Sequence, residues 1–326
     1  MAGNLEELRN TIQPLLVGLE KDLEYTAPAV GDDLRELTKV MYAQAVRTGV
    51  PFPEGSGSRK AFTTGLAYGY FCYPHHPLEV RAYVGIYTWL AIIVDDNANK
   101  DPEQWALFIF RYHTGRRQHN VVAREFAKCL RLAYRYFDPI VANFAITATL
   151  NFVNATVLEG AEVPKLKPTA GGQSWPYYLR DKNGVAEAYV WFTFPKAANP
   201  DISLFMEAVP DMSKYIVFVN DIYSFYKEEI ARDKDNYMYA RAAYVEGESV
   251  YEVYQEVVAE SVAAHRRILE VLKDRPAYER AWRAHAIGYA AFHKNSSRYR
   301  LDDMGLAESR FYRELMGHIS AVQKAA

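Results

Sequence analysis

The chain has 326 residues, half of them hydrophobic and 14% aromatic, which is enough to build a large core. Its formal net charge of −2 combines similar numbers of basic and acidic residues, which argues against a nucleic-acid-binding surface. Two distant cysteines, Cys72 and Cys129, indicate neither a disulfide framework nor a metal site and fit a reducing compartment. The most apolar run, 84–94, is too short to span a membrane. We therefore expect a soluble, cytoplasmic protein.

Hydrophobic residues recur at helical intervals through most of the chain. In chain order, this pattern predicts helices over 4–23, 34–46, 61–71, 77–94, 102–117, 122–136, 139–159, 175–192, 202–229, 250–272, 276–295 and 308–323. No linker divides these segments, and the loop-like stretches 51–58 and 160–176 are short enough to lie inside one domain. The sequence therefore predicts a single all-α domain spanning residues 1–326, a bundle of ten to twelve helices around a central cavity.

Three oxygen-bearing side chains recur every four residues near the end of the predicted helix 202–229. Asn220, Ser224 and Glu228 would lie in one stripe about 12 Å long on that helix. Amide, hydroxyl and carboxylate oxygens together suit a hard cation such as Mg²⁺ and not zinc. Lys227 lies beside the stripe and could hold an anion that the metal also holds. The alternative is a polar helix face with no ligand.

Residues 220–228 also match the N-D-x-x-S-x-x-x-E metal motif of class I terpene synthases. Asp95-Asp96 follows the apolar run 84–94, which resembles the position of that family's aspartate-rich motif. The usual D-D-x-x-D/E pattern is broken here, because its fifth position is Asn99. The resemblance gives the bridging ligand role to Asp95 and leaves the role of the far end of the motif open.

Two further motifs extend the resemblance toward the C-terminus. Arg180 precedes Asn183-Gly184, and this segment resembles the family's diphosphate-sensing arginine and the helix break that follows it. Arg298-Tyr299 is similar to the family's C-terminal Arg-Tyr pair, although Ser296-Ser297 replaces the aspartate that some relatives carry before it. The four motifs occur in the family's order over about two-thirds of the chain. The pattern is most similar to fungal sesquiterpene cyclases of the trichodiene synthase type.

The resemblance implies a role for each motif residue. The metal ligands would be Asp95, Asn220, Ser224 and Glu228. The diphosphate would be bound by Arg180, Lys227, Arg298 and Tyr299. Asn183 would link the arginine to Gly184, whose backbone would face the substrate at the helix break. The implied cofactor is Mg²⁺, as three ions.

The opposite end of such a site must be apolar, because it has to hold a carbocation. Phe292 is six residues before Arg298, where related cyclases often carry a tryptophan, and an aromatic face can stabilise a cation. For each further candidate for this wall, the structural core is the favoured interpretation; the candidates are Phe62, Thr88, Trp89, Phe152 and Tyr189.

The expected activity is Mg²⁺-dependent cyclisation of farnesyl diphosphate to a sesquiterpene, with release of pyrophosphate. The partner would be a small isoprenoid diphosphate, and we expect no nucleic acid and no membrane span. Alternatives are an isoprenyl chain-elongating transferase, a mono- or diterpene cyclase, and a non-catalytic helical binding protein. The sequence leaves open the product, a 1,6 or a 1,11 ring closure, capture by water, and whether the protein is a monomer or a homodimer.

Overall fold

The computed structural model describes residues 2–245, 247, 249–308 and 310–325, and these residues form helices without a β-strand. The α-helices are α1 (Ala2–Asp22), α2 (Asp33–Thr48), α3 (Gly57–Phe71), α4 (Leu78–Ala98), α5 (Pro102–Ala106), α6 (Phe108–Thr114), α7 (Val121–Tyr136), α8 (Pro139–Ala161), α9 (Trp175–Asn183), α10 (Ala186–Phe192), α11 (Val209–Ala231), α12 (Tyr237–Ala242), α13 (Val250–Leu272), α14 (Pro276–Lys294) and α15 (Arg310–Ala325). The all-α prediction is confirmed.

The described residues contain fifteen α-helices, more than the ten to twelve that the sequence predicts. The predicted helix 102–117 is two helices, α5 and α6, which meet at Leu107. The predicted helix 175–192 is divided into α9 and α10. Residues 202–208 form two short 3₁₀ turns before α11 begins. Hydrophobic periodicity continues across such breaks because both flanking segments bury their apolar faces in the same core.

Helix starts follow local sequence signals to different degrees. Pro102 occupies the first turn of α5, where proline is favoured, but the side chain of Asp101 before it makes no capping hydrogen bond. At α13, Ser249 and Glu252 form a reciprocal capping box, in which each side chain bonds the backbone N–H of the other residue. The capping box satisfies two N–H groups that have no partner inside the helix.

Helices α3 and α4 pack with their backbones in contact. A Cβ atom added to Gly65 would lie 2.4 Å from the carbonyl oxygen of Gly85, and one on Gly69 would lie 2.5 Å from that of Arg81. Any larger residue at these positions would push the helices apart. The close approach therefore fixes the helix that ends near Asp95 against its neighbour.

The helices enclose one continuous hydrophobic core that is rich in tyrosine, tryptophan and phenylalanine. Among the described residues, α8 is the one helix long and apolar enough to cross a membrane by composition. However, 61% of its most apolar window is buried inside the bundle. We therefore interpret α8 as a core helix, whose last turn reaches the site described next.

Candidate active site

The predicted helix break lies between α9 and α10, directly after Asn183. Gly184 has an ordinary φ of −74°, and the left-handed conformation falls on Val185, with φ of 51°. A Cβ atom on Gly184 would lie 2.4 Å from Cγ1 of Val217 on α11. Glycine is therefore required here for the close approach of α11, whereas the backbone strain is carried by a β-branched residue.

Arg180 connects this break to the first part of the 220–228 motif. Its Nε lies 2.9 Å from both carboxylate oxygens of Asp221, and a terminal nitrogen lies 2.7 Å from Asp221 Oδ1. The remaining donors reach Asn183 Oδ1 and Asn220 Oδ1, each at 3.2 Å. Burial alone would lower the pKa of Arg180, but the Asp221 carboxylate outweighs it and raises that pKa. The guanidinium thus stays charged and hydrogen-bonds Asp221, Asn183 and Asn220 at the same time.

The oxygen stripe on α11 forms as the four-residue spacing predicts. Ser224 is 5% exposed and lies one turn after Asn220 on the same helix. Glu228 is paired with Lys227 at 2.8 Å, and both side chains are mostly buried. An amide, a hydroxyl and a carboxylate on one helix face match the ligand preferences of Mg²⁺.

The C-terminal Arg-Tyr pair lies in a 3₁₀ turn, Ser297–Tyr299, after α14. Arg298 is exposed, whereas Tyr299 is 4% exposed, and burial raises the pKa of Tyr299 to about 12. The Tyr299 ring lies 4.5 Å from the ring of His293 and 6.1 Å from that of Phe292. This turn therefore places Tyr299, a predicted phosphate donor, beside the predicted cation-stabilising ring of Phe292.

Asp95 faces these arginines from the last turn of α4. The side chain touches solvent, yet the surrounding protein, followed by the charges of Glu159 and Asp96, raises the pKa of Asp95 to about 6. Arg180 and Arg298 act in the opposite direction, so both lie close enough to stabilise the carboxylate. The structure thus brings Asp95 close to both arginines. These residues, together with Asn220, are referred to below as the polar recess.

Three polar residues near the site were missed by the sequence interpretation. Glu159, in the last turn of α8, accepts a hydrogen bond from Asn183 Nδ2 at 3.0 Å, and burial raises its pKa. Asp221 holds Arg180, and His293 contacts Asn220. Asp221 could have been found, because it lies inside the motif itself. Glu159 and His293 follow no spacing and reach the site only through tertiary packing.

An aromatic floor, defined as Tyr68, Tyr189, Tyr289 and Phe292, lies on the inner side of the site. The Phe292 ring is 5.2 Å from the Tyr68 ring and stacks on Tyr289 at 6.1 Å, while Tyr68 and Tyr189 are 4.5 Å apart. The Tyr189 hydroxyl lies 3.1 Å from Oγ1 of Thr88. Thr88 precedes Asp95 by seven residues, or about 10 Å along α4. The floor is therefore about two helical turns below the polar recess.

Two other candidates for the aromatic wall belong to a separate cluster. The rings of Phe62 and Trp89 contact each other at 5.7 Å, and both contact Phe52. The Trp89 indole N–H also donates to the Ser58 carbonyl at 3.0 Å. This packing favours the structural-core interpretation for both residues. Phe152 is buried on α8 and keeps both interpretations.

Other features of the described residues offer no rival site. Cavities of about 260 and 340 Å³ are lined by residues such as Lys214 and Arg241 in the first case, and Tyr70 and Arg81 in the second. None of the predicted site residues lines either cavity. No group of three or more His, Cys, Asp and Glu side chains in the described part of the chain could hold a metal. The predicted ligands differ from such a group because two of them are amide and hydroxyl oxygens.

Comparison with solved structures identifies the fold. The linalool/nerolidol synthase from Streptomyces clavuligerus, solved in complex with 2-fluorogeranyl diphosphate, has a TM-score of 0.65, with 12% sequence identity over 81% of this chain and 100% of that chain. A hedycaryol synthase in complex with nerolidol has a TM-score of 0.60, with 15% identity over 82% and 96%. The bundle has the class I terpene synthase fold.

Sequence relatives narrow the class to a family. The family model described as trichodiene synthase matches residues 59–310, well over half of the chain. A longiborneol synthase from Gibberella zeae is 36% identical over 97% of this chain and 94% of its own length. Terpene synthase BipA from Cochliobolus sativus is 37% identical over 87% of each chain. The chain belongs to the trichodiene synthase family of terpene synthases, which confirms the resemblance seen in its motifs.

Proposed function

We propose that the protein is a Mg²⁺-dependent sesquiterpene cyclase that acts on farnesyl diphosphate, with residues 1–326 as one catalytic domain in the cytoplasm. The observation that supports this most is the position of the aromatic floor about two helical turns from the polar residues Asp95, Arg180 and Asn220. A substrate with a polyanionic head and a hydrocarbon tail matches that division. The reaction needs both ends, since it separates an anion from a cation.

At the polar end, Arg180, Lys227, Arg298 and Tyr299 would bind the diphosphate. Arginine suits this role because its fork donates two parallel hydrogen bonds to phosphate oxygens. Asp95, Asn220, Ser224 and Glu228 would hold Mg²⁺, for which we propose three ions. The bound metal would supply charge neutralisation for the departing diphosphate. Arg180 would have to exchange at least part of its contact with Asp221 for contact with the substrate.

At the inner end, the aromatic floor would hold the hydrocarbon. Cleavage of the allylic C–O bond leaves its electron pair on the diphosphate and an allylic carbocation on the hydrocarbon part of the substrate. Phe292 and Tyr289, whose rings lie parallel at 6.1 Å, would stabilise such a cation by roughly 2 kcal/mol when water is excluded. Another double bond of the same hydrocarbon then attacks the cation to close a ring. Loss of a proton, or capture of water, ends the reaction.

Farnesyl diphosphate is our choice of substrate because the family is one of sesquiterpene synthases. A C10 diphosphate is the second candidate, since the neighbouring linalool/nerolidol synthase was solved with a geranyl analogue. A chain-elongating transferase would need a second aspartate-rich motif where this chain carries Asn220, Ser224 and Glu228.

Incubation with C10, C15 and C20 diphosphates and Mg²⁺ tests the proposal, with products identified by gas chromatography and mass spectrometry. We expect cyclic C15 products and free pyrophosphate, and no turnover in excess chelator. Addition of isopentenyl diphosphate distinguishes a transferase, which would lengthen the substrate. Turnover that persists in chelator, or the absence of any product from all three substrates, would contradict the proposal.

A further inference from the structure

His293 is a fully buried histidine beside the metal-binding stripe. It lies on α14 with 0% exposure, and its ring stacks on Tyr223 at 4.8 Å with an interplanar angle of 15°. Its Nδ1 is 2.7 Å from the carbonyl oxygen of Tyr289, and its Nε2 is 3.4 Å from the side-chain nitrogen of Asn220. The side chain thus links a backbone carbonyl of α14 to a predicted metal ligand on α11.

The hydrogen bond to Tyr289 determines which ring nitrogen carries the proton. A carbonyl oxygen can only accept, so Nδ1 must be the donor. Nε2 lies 3.4 Å from the side-chain nitrogen of Asn220, and the NH₂ group of an amide can only donate. Nε2 is therefore the acceptor of the ring.

The other side of Asn220 gives the same orientation independently. Arg180 lies 3.2 Å from Oδ1 of Asn220, and a guanidinium can only donate. A donor-only group and an acceptor thus face opposite ends of one amide. The Tyr289–His293–Asn220–Arg180 chain has a single consistent arrangement, with the amide oxygen on the side of the recess.

We propose that His293 is a positioning residue that orients the Asn220 amide so that its oxygen, and not its NH₂ group, faces a bound divalent cation. The inference rests on the proposed function, because it takes Asn220 as a metal ligand. An amide turned by 180° would present N–H dipoles to the cation, and the ligand would be lost. Without the acceptor on His293, the NH₂ group of Asn220 loses the partner that it has on α14.

Three variants separate the acceptor from the ring. H293F keeps an aromatic ring against Tyr223 but removes the acceptor. H293Q can return an acceptor oxygen without a ring. Y223F is the matched control, because it retains the stacked ring and loses only a contact between the Tyr223 hydroxyl and Glu20. Binding of Mn²⁺ in the presence of inorganic pyrophosphate is measured by electron paramagnetic resonance, which needs no turnover.

We expect H293F to raise the Kd for Mn²⁺ by about tenfold or more. Removal of a side chain that hydrogen-bonds a metal ligand usually has an effect of this size. H293Q and Y223F should both stay well below tenfold. An unchanged Kd in H293F, or an equal loss in H293F and Y223F, would overturn the inference. If H293F does not fold, H293Q decides alone, since a loss of tenfold or more in folded H293Q overturns it and a smaller change supports it.

The same titration separates this inference from the proposed function. If the wild-type protein binds no Mn²⁺ with pyrophosphate, the proposed metal site is wrong, and the role of His293 fails with it. If the wild-type protein binds Mn²⁺ and H293F binds it equally well, the metal site stands and only the role of His293 is wrong.

Discussion

The two halves of the proposed metal site differ in how their charges are balanced. On α11, Asn220 has hydrogen-bond partners at both ends of its amide, and Glu228 is paired with Lys227. On α4, Asp95 lies near the carboxylate of Glu159, and its pKa is raised to about 6. On α11, hydrogen bonds and an ion pair within the protein therefore fix the side chains. On α4, the Asp95 carboxylate is repelled by neighbouring carboxylates, and a bound cation would offset that repulsion.

The difference implies that charge removal should affect stability in opposite directions in the two halves. Neutralising Glu228 leaves Lys227 without its partner. Neutralising Asp95 removes a carboxylate that its surroundings disfavour. Both changes should impair catalysis, so activity and melting temperature together distinguish the halves better than activity alone.

The largest expected effect is that of Glu228→Gln. We expect kcat/KM to fall by more than about a hundredfold, because loss of a charged ligand should exceed the loss caused by removing a partner behind a ligand. The melting temperature should also fall, since Lys227 becomes unpaired in a mostly buried position. Glu229→Gln is the matched control on the same helix, where the carboxylate contacts Tyr251 instead. Equal turnover in the two variants would mean that the stripe is misassigned.

Asp95→Asn should give the next largest effect. The substitution keeps one carbonyl oxygen but removes the charge that attracts Mg²⁺, so we expect a loss of about a hundredfold in kcat/KM. Thermal unfolding should show a raised melting temperature, opposite to the Glu228 variant. Asp101→Asn, in the exposed turn after α4, serves as the control and should change neither quantity. A lowered melting temperature in Asp95→Asn would show that the Asp95 carboxylate stabilises the fold, and the proposed difference between the two halves would be wrong.

Phe292→Ala tests whether the aromatic floor has a different role from the two halves of the proposed metal site. We expect the product ratio to change more than the total consumption of substrate, because the ring would steer a cation that is formed elsewhere. Gas chromatography of the product mixture gives both quantities. Phe62→Ala is a matched control from the separate cluster with Trp89, and its product ratio should equal that of the wild type. If Phe292→Ala leaves the ratio unchanged, Phe292 belongs to the structural core.

Asn99→Asp should have the smallest effect. It restores the common family pattern and adds a charge to the half that is already negative, next to Gly160 and near Glu159. We expect kcat/KM to stay within about tenfold, or roughly 1.4 kcal/mol in the barrier. Steady-state kinetics at saturating Mg²⁺ measure this change. A loss as large as that of Asp95→Asn would show that the metal has been placed on the wrong residue.

The sequence predicts those parts of the site whose geometry is set within a single helix, and it does not predict those that depend on packing between helices. Asn220, Ser224 and Glu228 could be predicted because one helix alone fixes their spacing. Glu159 could not, because it meets Asn183 only after α8 packs against α9. Trp89 shows a related limit, since aromatic identity does not tell which side of α4 faces the recess. The all-α fold and the helix break after Asn183 were predictable, but the sequence did not indicate that the left-handed conformation would fall on Val185 and not on Gly184.

The left-handed conformation of Val185 has a consequence for evolution and engineering. A β-branched residue with φ of 51° costs of order 1–3 kcal/mol, which Val185→Gly would recover in part. A search for thermostable variants would therefore favour this change. However, Val185 joins the helix of Arg180 to the helix of Tyr189, and a flexible joint would loosen the alignment of the proposed diphosphate-binding arginine with the aromatic floor. The position is one where selection for robustness and selection for product fidelity should conflict.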